Sequence, residues 1–218
     1  MPIYTLALAS HKGGSGTTTA AAAVSWLLGQ QGYRVALVDV HPAGSVRLLA
    51  ETQAGVCPWP NVSVHDYREY ENGFDLDTDL VVLDCPPLTE QAALPALELV
   101  DGLVLSCRAD LLSLRTLSAV QKFLEKAEQQ IPNLSFLGTI INLFDREDTK
   151  QQQLFANLLD SQGDLLIRPP VAWQESLCDW ALSPGSPLPE GSGTTAYEII
   201  VDIVLELSGI QELTSTSV

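Results

Sequence analysis

The sequence predicts a doubly wound α/β domain, in which a mostly parallel sheet carries helices on both faces. Short, continuous apolar runs alternate along the chain with longer segments of helical pattern. Runs of this kind are typical of parallel strands that are covered on both sides. The first run also passes through a glycine-rich turn directly into an alanine-rich segment. In sheets of this class, ligands bind at the carboxyl ends of the strands.

The strands are predicted from the apolar runs, and the helices from the segments between them. The predicted strands are residues 3–10, 34–40, 79–87, 101–109, 134–144 and 164–172. The predicted helices are residues 17–30, 44–52, 89–100, 112–130, 148–163, 173–182 and 194–209. Residues 53–77 are expected to be irregular because they are rich in Pro, Gly and Asn. Residues 1–209 are therefore expected to form a single domain, and residues 210–218 a disordered tail.

Composition and charge restrict the possible partners. The chain has 218 residues, of which 46% are hydrophobic, enough for one compact domain with a sizeable core. Eleven Lys and Arg face 27 Asp and Glu, for a net charge of -16. Because affinity for nucleic acid comes largely from basic residues, we expect weak DNA binding unless the few cations cluster. Arg115, Lys122 and Lys126 share one face of a predicted helix, for which a solvated surface is the simpler interpretation.

Cysteine spacing and the N-terminus predict the cellular location. The four cysteines, at positions 57, 85, 107 and 178, are widely spaced, which indicates buried thiols in a reducing compartment. The first apolar run is short and has no basic leader, so we expect a strand and not a signal peptide. Since no run has the length of a membrane span, a cytoplasmic protein with no membrane partner is expected.

The glycine-rich turn has the features of a phosphate-binding loop. Residues 12–19, "KGGSGTTT", join the first predicted strand to the first predicted helix. Gly13, Gly14 and Gly16 would let backbone amides approach an anion, and the helix N-terminus adds a favourable dipole. Thr18 is placed to give a hydroxyl to Mg²⁺. The alternative is a tight turn that binds no ligand.

Several segments in order resemble the ParA/MinD family of P-loop ATPases. "KGGSGTTT" resembles the family's deviant Walker A box, KGGxGK[ST][ST], and "LVVLDCPP" resembles its Walker B strand, hhhhDTPP. "VALVDVHPAGS" resembles the signature DxDPQGS with the strand before it. Further similar segments are "DGLVLSCRADLLSLRTL", "GTIINLFDRED", "GSPL" and "GTTAYEII". The resemblance covers nearly the whole chain and implies a P-loop NTPase fold of ParA/MinD type.

The resemblance also implies roles for individual residues. ATP or ADP with Mg²⁺ would be the cofactors, and an ATP-bound homodimer the active form, in which Lys12 reaches the partner's phosphates. The implied nucleotide-binding residues are Lys12, Gly13, Gly14, Ser15, Gly16, Thr17, Thr18, Thr19 and, for the base, Asn142. The implied metal site consists of Thr18, with Asp39 and Asp84 acting through water. The implied catalytic residues are Lys12, Asp39 and His41.

Two positions depart from the family pattern. The family's loop usually has a lysine at the position of Thr17. Members associated with pilus assembly and cellulose secretion also have a threonine there. A lost charge-assisted bond costs about 1.5–3 kcal/mol, which lowers affinity roughly ten- to a hundredfold. His41 replaces the second acid of DxD, which helps to orient the attacking water; the alternative is a loop residue without a role. Both departures predict slow or impaired hydrolysis.

Three functions remain open at this stage. The resemblance implies a nucleotide-dependent dimerisation switch that acts in partition or spatial positioning of DNA or another cargo, with a protein partner or cargo adaptor. One alternative is a non-hydrolysing nucleotide-sensing scaffold that recruits a protein complex, as the cellulose-secretion and pilus-assembly relatives do. The other is a synthase of the same fold that activates a carboxylate with ATP. Whether Lys150 takes part in an interface is left open. Trp173 and Trp180, on one short predicted helix, are expected to pack in the core, with a surface for a partner as the alternative.

Overall fold

The computed structural model describes residues 4–40, 44–71, 77–89, 93–111, 131–191 and 193–210. Several features predicted from the sequence lie outside these residues. They are His41, the helix 112–130 with Arg115, Lys122 and Lys126, and most of the C-terminal tail.

Seven strands form a single sheet in the described part of the chain. In chain order they are β1 (Tyr4–Ser10), β2 (Val35–Asp39), β3 (Val62–Asp66), β4 (Leu80–Pro87), β5 (Gly102–Arg108), β6 (Ser135–Asn142) and β7 (Leu166–Ile167). Their order across the sheet is β3-β2-β4-β1-β5-β6-β7, and every neighbouring pair is parallel. The predicted α/β architecture is thereby confirmed.

Seven α-helices and one 3₁₀ turn lie between the strands or after the last strand in the described residues. The helices are α1 (Thr17–Gln30), α2 (Ser45–Ala50), α3 (Tyr67–Glu71), α4 (Ala93–Leu97), α5 (Thr149–Gln162), α6 (Glu175–Ala181) and α7 (Thr195–Ser208). The 3₁₀ turn is Gly163–Leu165. The bounds of α1 agree with the prediction. The start of α5 is fixed by Asp148, whose carboxylate accepts hydrogen bonds from the backbone N–H groups of the first turn, as N-cap residues do.

Alternate side chains of the strands enter separate cores on the two faces of the sheet. On one face of the sheet, Leu6 and Leu8 of β1 pack with α1, α2 and α7. On the other face, Ala7 and Ala9 pack with α4 and with side chains that follow β3. Alternation of this kind is dictated by the period of two along a strand. Because both faces are buried, the carboxyl ends of the strands provide the open edge at which a ligand can bind.

The prediction that residues 53–77 are irregular is wrong. This stretch contains β3, which pairs with β2 at the edge of the sheet, and the short helix α3. An edge strand needs little apolar sequence, and only Val62 among the residues of β3 is buried. The prediction for residues 164–172 is also too long, since β7 covers only Leu166 and Ile167. Consecutive prolines at 169 and 170 remove the N–H groups that a longer strand would need.

The two tryptophans of the C-terminal region differ in environment. Trp180 of α6 is buried and stacks on Trp59, with ring centroids 5.6 Å apart. Both indole N–H groups donate to the carbonyl oxygen of Ser186, at 2.8 and 2.9 Å. Trp173 precedes α6 and is 56% exposed, so the expectation of core packing is wrong for this residue. The stacked pair ties the segment after α2 to the segment around α6.

The expectation of four buried thiols holds only in part. Cys85 and Cys107 are buried, Cys57 is half-buried, and Cys178 is exposed. Cys178 lies on α6 and lines a cavity, and its exposure was not predicted from the sequence. Every helix in the described residues is too short or too polar to cross a lipid bilayer.

The contact between α1 and the segment before β3 yields a prediction about stability. A Cβ atom added at Gly29 would collide with the carbonyl oxygen of Pro60 and lie 2.8 Å from Val62 Cγ2. Gly29→Ala should therefore lower the free energy of unfolding by about 1–3 kcal/mol, the usual cost of overpacking. Gly163→Ala is the matched control, because a Cβ there meets nothing within 4 Å.

Chemical denaturation of both variants measures the effect. Gly163→Ala should leave the free energy of unfolding unchanged or raise it slightly, by less than about 1 kcal/mol. Equal stability of the two variants would contradict a close packing of α1 on the Pro60 backbone.

Candidate functional site

The glycine-rich loop lies at the centre of the sheet's carboxyl edge. It connects β1 to α1, and β1 is flanked by β4 and β5. The two acids predicted to act at this site are placed at the same edge. Asp39 ends β2, Asp84 lies in β4, and the two are directly opposite each other in the parallel pair. The topology therefore brings together residues that are 45 positions apart in the sequence.

The loop encloses a cavity of about 350 Å³. Its lining comes from the loop and from the neighbouring strand ends: Ser10, Gly13, Gly14, Ser15, Gly16, Thr17, Thr18, Thr19, Ser45, Asp84, Cys85 and Pro87. Gly14 and Gly16 have φ angles of 78° and 79°, in the left-handed region that favours glycine. Gly16 is the N-cap of α1, and within the described part of the chain no side chain caps this end of the helix. The exposed backbone N–H groups and the helix dipole together make the cavity suited to an anion.

The carbonyl groups of the loop are bound by side chains of the protein. Ser15 Oγ donates to the carbonyl oxygen of Lys12, at 2.8 Å. Ser106 Oγ of β5 and Asn142 Nδ2 of β6 both donate to the carbonyl oxygen of Ser15, at 2.5 and 3.1 Å. Asn142 Nδ2 also donates to Ser106 Oγ at 2.7 Å. The loop is therefore held from the side of the sheet by β5 and β6.

A hydroxyl and two carboxylates meet at the first turn of α1. Thr18 Oγ1 donates to Asp84 Oδ2 at 2.8 Å. Asp39 Oδ2 accepts a hydrogen bond of 2.9 Å from the backbone N–H of Val46, in the first turn of α2. Asp84 is 1% exposed and Asp39 is 5% exposed. Hydroxyl and carboxylate oxygens are ligands that Mg²⁺ prefers, usually with one or two carboxylates completed by phosphate and water.

The buried position of Asp84 changes its protonation. Burial raises the pKa of Asp84 to about 7; the hydrogen bond from Thr18 opposes this rise, and the charge of Asp39 adds to it. A cation bound beside the carboxylate would stabilise its charged form. No group of three or more His, Cys, Asp and Glu side chains forms a metal site within the described residues. Any magnesium held here would therefore need ligands beyond these four residue types, such as the Thr18 hydroxyl and phosphate oxygens.

A second cavity of about 290 Å³ adjoins the first. The two share Gly16 and Thr19 in their linings. The rest of the second lining is mainly apolar and comes from the ends of β6 and β7, α6 and α7: Asn142, Leu143, Val171, Ala172, Gln174, Leu177, Cys178 and Tyr197. A polar cavity joined to an apolar one suits a ligand with an anionic group at one end and a flat, less polar group at the other.

The structure brings most of the predicted site residues together. The loop residues from Gly13 to Thr19 line the first cavity with Asp84, and Asp39 lies beside Asp84. The side chain of Lys12 is exposed. Asn142 lines the second cavity, but its amide nitrogen donates to Ser15 and Ser106, and its amide oxygen accepts from Tyr197. Its contact with a base therefore stays a prediction.

Sequence reasoning missed two of the residues that hold the loop. Ser106 is a lone hydroxyl in the apolar run of β5, and Tyr197 is a buried aromatic residue on α7. The only signal for Ser106 was its position near the carboxyl end of a predicted strand. Tyr197 gave no signal beyond its place in the apolar face of a helix.

Comparison with known proteins identifies the family. Residues 6–184 match the family described as CobQ/CobB/MinD/ParA nucleotide binding domain. The chain belongs to this family. The resemblance drawn from the sequence motifs is thereby confirmed.

Individual relatives are distant. The chain is 28% identical over 191 residues to the chromosome-partitioning ATPase Soj of Thermus thermophilus, covering 73% of this chain and 77% of Soj. It is 21% identical over 208 residues to the chromosome partitioning protein ParA of Caulobacter vibrioides, covering 75% and 78% of the two chains.

Two solved structures that share the fold of this chain belong to two differently named proteins. McdA from Cyanothece without nucleotide has a TM-score of 0.74 at 18% identity, covering 94% of this chain and all of McdA. Cobyrinic acid a,c-diamide synthase from Mycobacterium smegmatis with bound ADP and magnesium has a TM-score of 0.72 at 21% identity, covering 99% of this chain and all of the synthase. At these identities the likeness establishes the fold alone.

The raised pKa of Asp84 predicts a pH-dependent effect of its replacement. Its pKa is about 7 in the folded protein and about 4 in an unfolded chain. Between these values the folded state binds more protons, so this group lowers stability as pH rises from 4 to 7. Asp84→Asn keeps an acceptor for Thr18 and removes the charge. In EDTA it should raise the free energy of unfolding above pH 7, by at most about 4 kcal/mol.

Asp79→Asn provides a control of opposite sign. Arg34 beside Asp79 lowers the pKa of that carboxyl, so removing its charge should reduce stability at pH 7. Thermal unfolding of both variants between pH 5 and 8 measures the effect. The gain of Asp84→Asn should be smaller at pH 5 than at pH 8; a loss of stability at pH 8 would show that the Asp84 charge is not penalised by burial.

Proposed function

We propose that this chain is a nucleotide-dependent dimerisation switch of ParA/MinD type that acts in the partition or spatial positioning of DNA or another cargo. It binds ATP or ADP with Mg²⁺, dimerises in the ATP state, and hydrolyses ATP slowly. It acts in the cytoplasm, through a protein partner or cargo adaptor that recognises its dimer.

The observation that carries this proposal is the arrangement at the start of α1. An uncapped helix N-terminus, two glycines of left-handed conformation, and the Thr18–Asp84 hydrogen bond all meet at one cavity. The first two features favour phosphate, and the third supplies oxygen ligands beside it. The adjoining apolar cavity has room for a base. Family membership agrees with this use of the site.

The oxygen atoms at the end of α1 fit magnesium. Thr18 would be a direct ligand, while Asp84 and Asp39 would act through water molecules, since carboxylates of this kind orient the hydration shell of the ion. When bound, Mg²⁺ neutralises charge on the phosphates during phosphoryl transfer. The burial of Asp84 and Asp39 keeps both carboxylates away from bulk water, with Asp84 in the cavity lining and Asp39 opposite it on β2.

The remaining catalytic residues are those that the family pattern assigns. The side chain of Lys12 is exposed, as expected for a residue that reaches the phosphates of a second subunit. Thr17 lines the phosphate cavity and has a hydroxyl where related loops have an ammonium group. The cavity therefore has one fewer positive charge for the transferred phosphate, which supports slow turnover. His41, which replaces a second acid, lies outside the described residues.

Relatives support a positioning role without establishing it. Soj and ParA are named as chromosome-partitioning proteins. MinD from Pyrococcus horikoshii, named as a septum site-determining protein, was solved with Mg-ADP and has a TM-score of 0.66 at 19% identity. A McdA variant from Cyanothece was solved with ATP. These names span several cargoes, so they favour the switch and leave the cargo open.

The net charge of -16 favours a second candidate function. A chain with so few cations is poorly suited to hold itself on DNA by phosphate contacts. A nucleotide-sensing scaffold that recruits a protein complex, with little or no hydrolysis, needs no such affinity. The third candidate, a carboxylate-activating synthase, has as support only the fold shared with cobyrinic acid a,c-diamide synthase.

Size-exclusion chromatography with and without ATP and Mg²⁺, followed by phosphate release, tests the proposal. The switch predicts a dimer only with ATP and Mg²⁺, and slow release of phosphate. A dimer with no release at all favours the scaffold. A monomer under every condition would overturn both.

Lys12→Ala should abolish the ATP-dependent dimer while leaving the monomer folded. The exposed lysine precedes the glycines and contributes nothing to the core. Arg146→Ala is the control, since it removes another exposed cation and should leave the dimer unchanged. Sedimentation velocity measures both variants; a dimer that persists in Lys12→Ala would rule out the trans-acting lysine.

Thr17→Lys should tighten ATP binding roughly ten- to a hundredfold, because it restores one charge-assisted hydrogen bond to phosphate. Thr17→Val, which removes the hydroxyl without adding charge, should give no such gain. Titration with a fluorescent ATP analogue measures affinity.

If the family role of the second acid transfers, adding His41→Asp to Thr17→Lys should raise the rate of phosphate release above that of Thr17→Lys alone. A wild type as fast as the double variant would refute an impaired site.

A further inference from the structure

The carbonyl oxygen of Ser15 accepts hydrogen bonds from two buried side chains of the sheet. Ser106 Oγ lies 2.5 Å from it and Asn142 Nδ2 lies 3.1 Å from it. Ser106 and Asn142 are 2% and 1% exposed. Because both donors are buried, water does not readily replace their hydrogen bonds to this carbonyl. The direction of the Ser15 carbonyl is therefore fixed by β5 and β6.

The amide of Asn142 is itself held by a third side chain. Tyr197 of α7 donates its hydroxyl to Asn142 Oδ1 at 3.1 Å, which fixes which end of the amide faces the loop. Asn142 Nδ2 then uses one N–H on the Ser15 carbonyl and the other on Ser106 Oγ. Ser106 accepts this bond and donates its own hydrogen to Ser15. The donors and acceptors of the three side chains are therefore matched.

The consequence for the loop follows from the geometry of a peptide group. In a planar trans peptide, the C=O of one residue and the N–H of the next point in opposite directions. Holding the Ser15 carbonyl towards Ser106 and Asn142 therefore directs the Gly16 N–H away from them. Gly16 lines the phosphate cavity. Its φ of 79° lies in the left-handed region and allows the backbone to take this orientation.

We propose that Ser106, Asn142 and Tyr197 form a clamp on the Ser15 carbonyl that aims the Gly16 N–H at a bound phosphate. Asn142 is in this proposal a positioning residue for the phosphate loop. Both of its N–H groups are used within the protein, so it has no donor left for a base. The inference rests on the proposed binding of nucleotide at this site, and it makes α7 a part of the phosphate site.

Inorganic tripolyphosphate separates positioning of the loop from reading of the base, because it has no base. Ser106→Ala and Tyr197→Phe each remove one hydroxyl of the clamp with little change of shape. Calorimetric titration of wild type and both variants with Mg·tripolyphosphate, Mg·ATP and Mg·GTP gives the dissociation constants. Each variant should weaken all three ligands by the same factor, roughly fivefold for one hydrogen bond, and leave the ATP to GTP ratio unchanged.

Ser25→Ala is the matched control. Ser25 is fully buried in α1, the helix that follows the loop, and its Oγ has no hydrogen-bond partner among the described residues. Removing it should leave the binding of all three ligands unchanged. Thermal unfolding of each variant verifies that the fold persists.

The outcomes separate the clamp from the proposed function. Loss of ATP binding with unchanged tripolyphosphate binding would mean that these residues serve the base, and would overturn the clamp. Unchanged binding of all ligands in Ser106→Ala and Tyr197→Phe would also overturn it, while leaving nucleotide binding intact. A wild type that binds neither ATP nor tripolyphosphate would refute the proposed function and the clamp with it.

Discussion

A loop that offers its backbone N–H groups to a ligand must satisfy its carbonyl groups on the opposite side. The glycine-rich loop does this for three of its carbonyl groups. The carbonyl of Lys12 accepts from Ser15 Oγ, that of Ser15 from Ser106 and Asn142, and that of Gly16 from the backbone of α1. A buried carbonyl without a partner would cost about 1–3 kcal/mol. Much of the fold can be understood as the means of bringing these partners to one edge of the sheet.

The strand order provides these partners. β1 lies between β4 and β5, so that the loop after β1 has Asp84 on one side and Ser106 on the other. β6 lies next to β5 and brings Asn142 to the same edge. The small residues of α1, with four consecutive alanines fully buried, let the helix pack closely on the sheet. The position of the helix N-terminus, and with it the cavity, is thereby fixed.

Stability is lowered at this site by the groups that the proposed ligand requires. Asp39, at the end of β2, and Asp84, within β4, are buried opposite each other in two paired strands. In the absence of a cation, two close carboxylates in a buried setting oppose each other's ionisation. At Asp84 the hydrogen bond from Thr18 offsets only part of this cost, because the pKa of this carboxyl stays raised. A buried carboxylate with a raised pKa is typical of a functional site.

The parts of the structure that depend on local sequence were predictable, and those that depend on distant contacts were not. Long apolar runs predicted β1, β2, β4, β5 and β6, and the glycines predicted the loop. β3 escaped prediction because an edge strand buries few side chains, and its sequence has no continuous apolar run. The bonding of Asn142 could not be foreseen, since it depends on Ser106 and Tyr197, which are 36 and 55 positions away.

The central claim is that the cavity at the start of α1 binds nucleotide with magnesium. Isothermal titration of the wild-type protein with ADP, in Mg²⁺ and again in EDTA, tests it most directly. Binding of one ADP per chain that weakens on removal of Mg²⁺ is the result that the structure predicts. The absence of any binding at millimolar ADP in the presence of Mg²⁺, by a protein that is folded, would contradict the account.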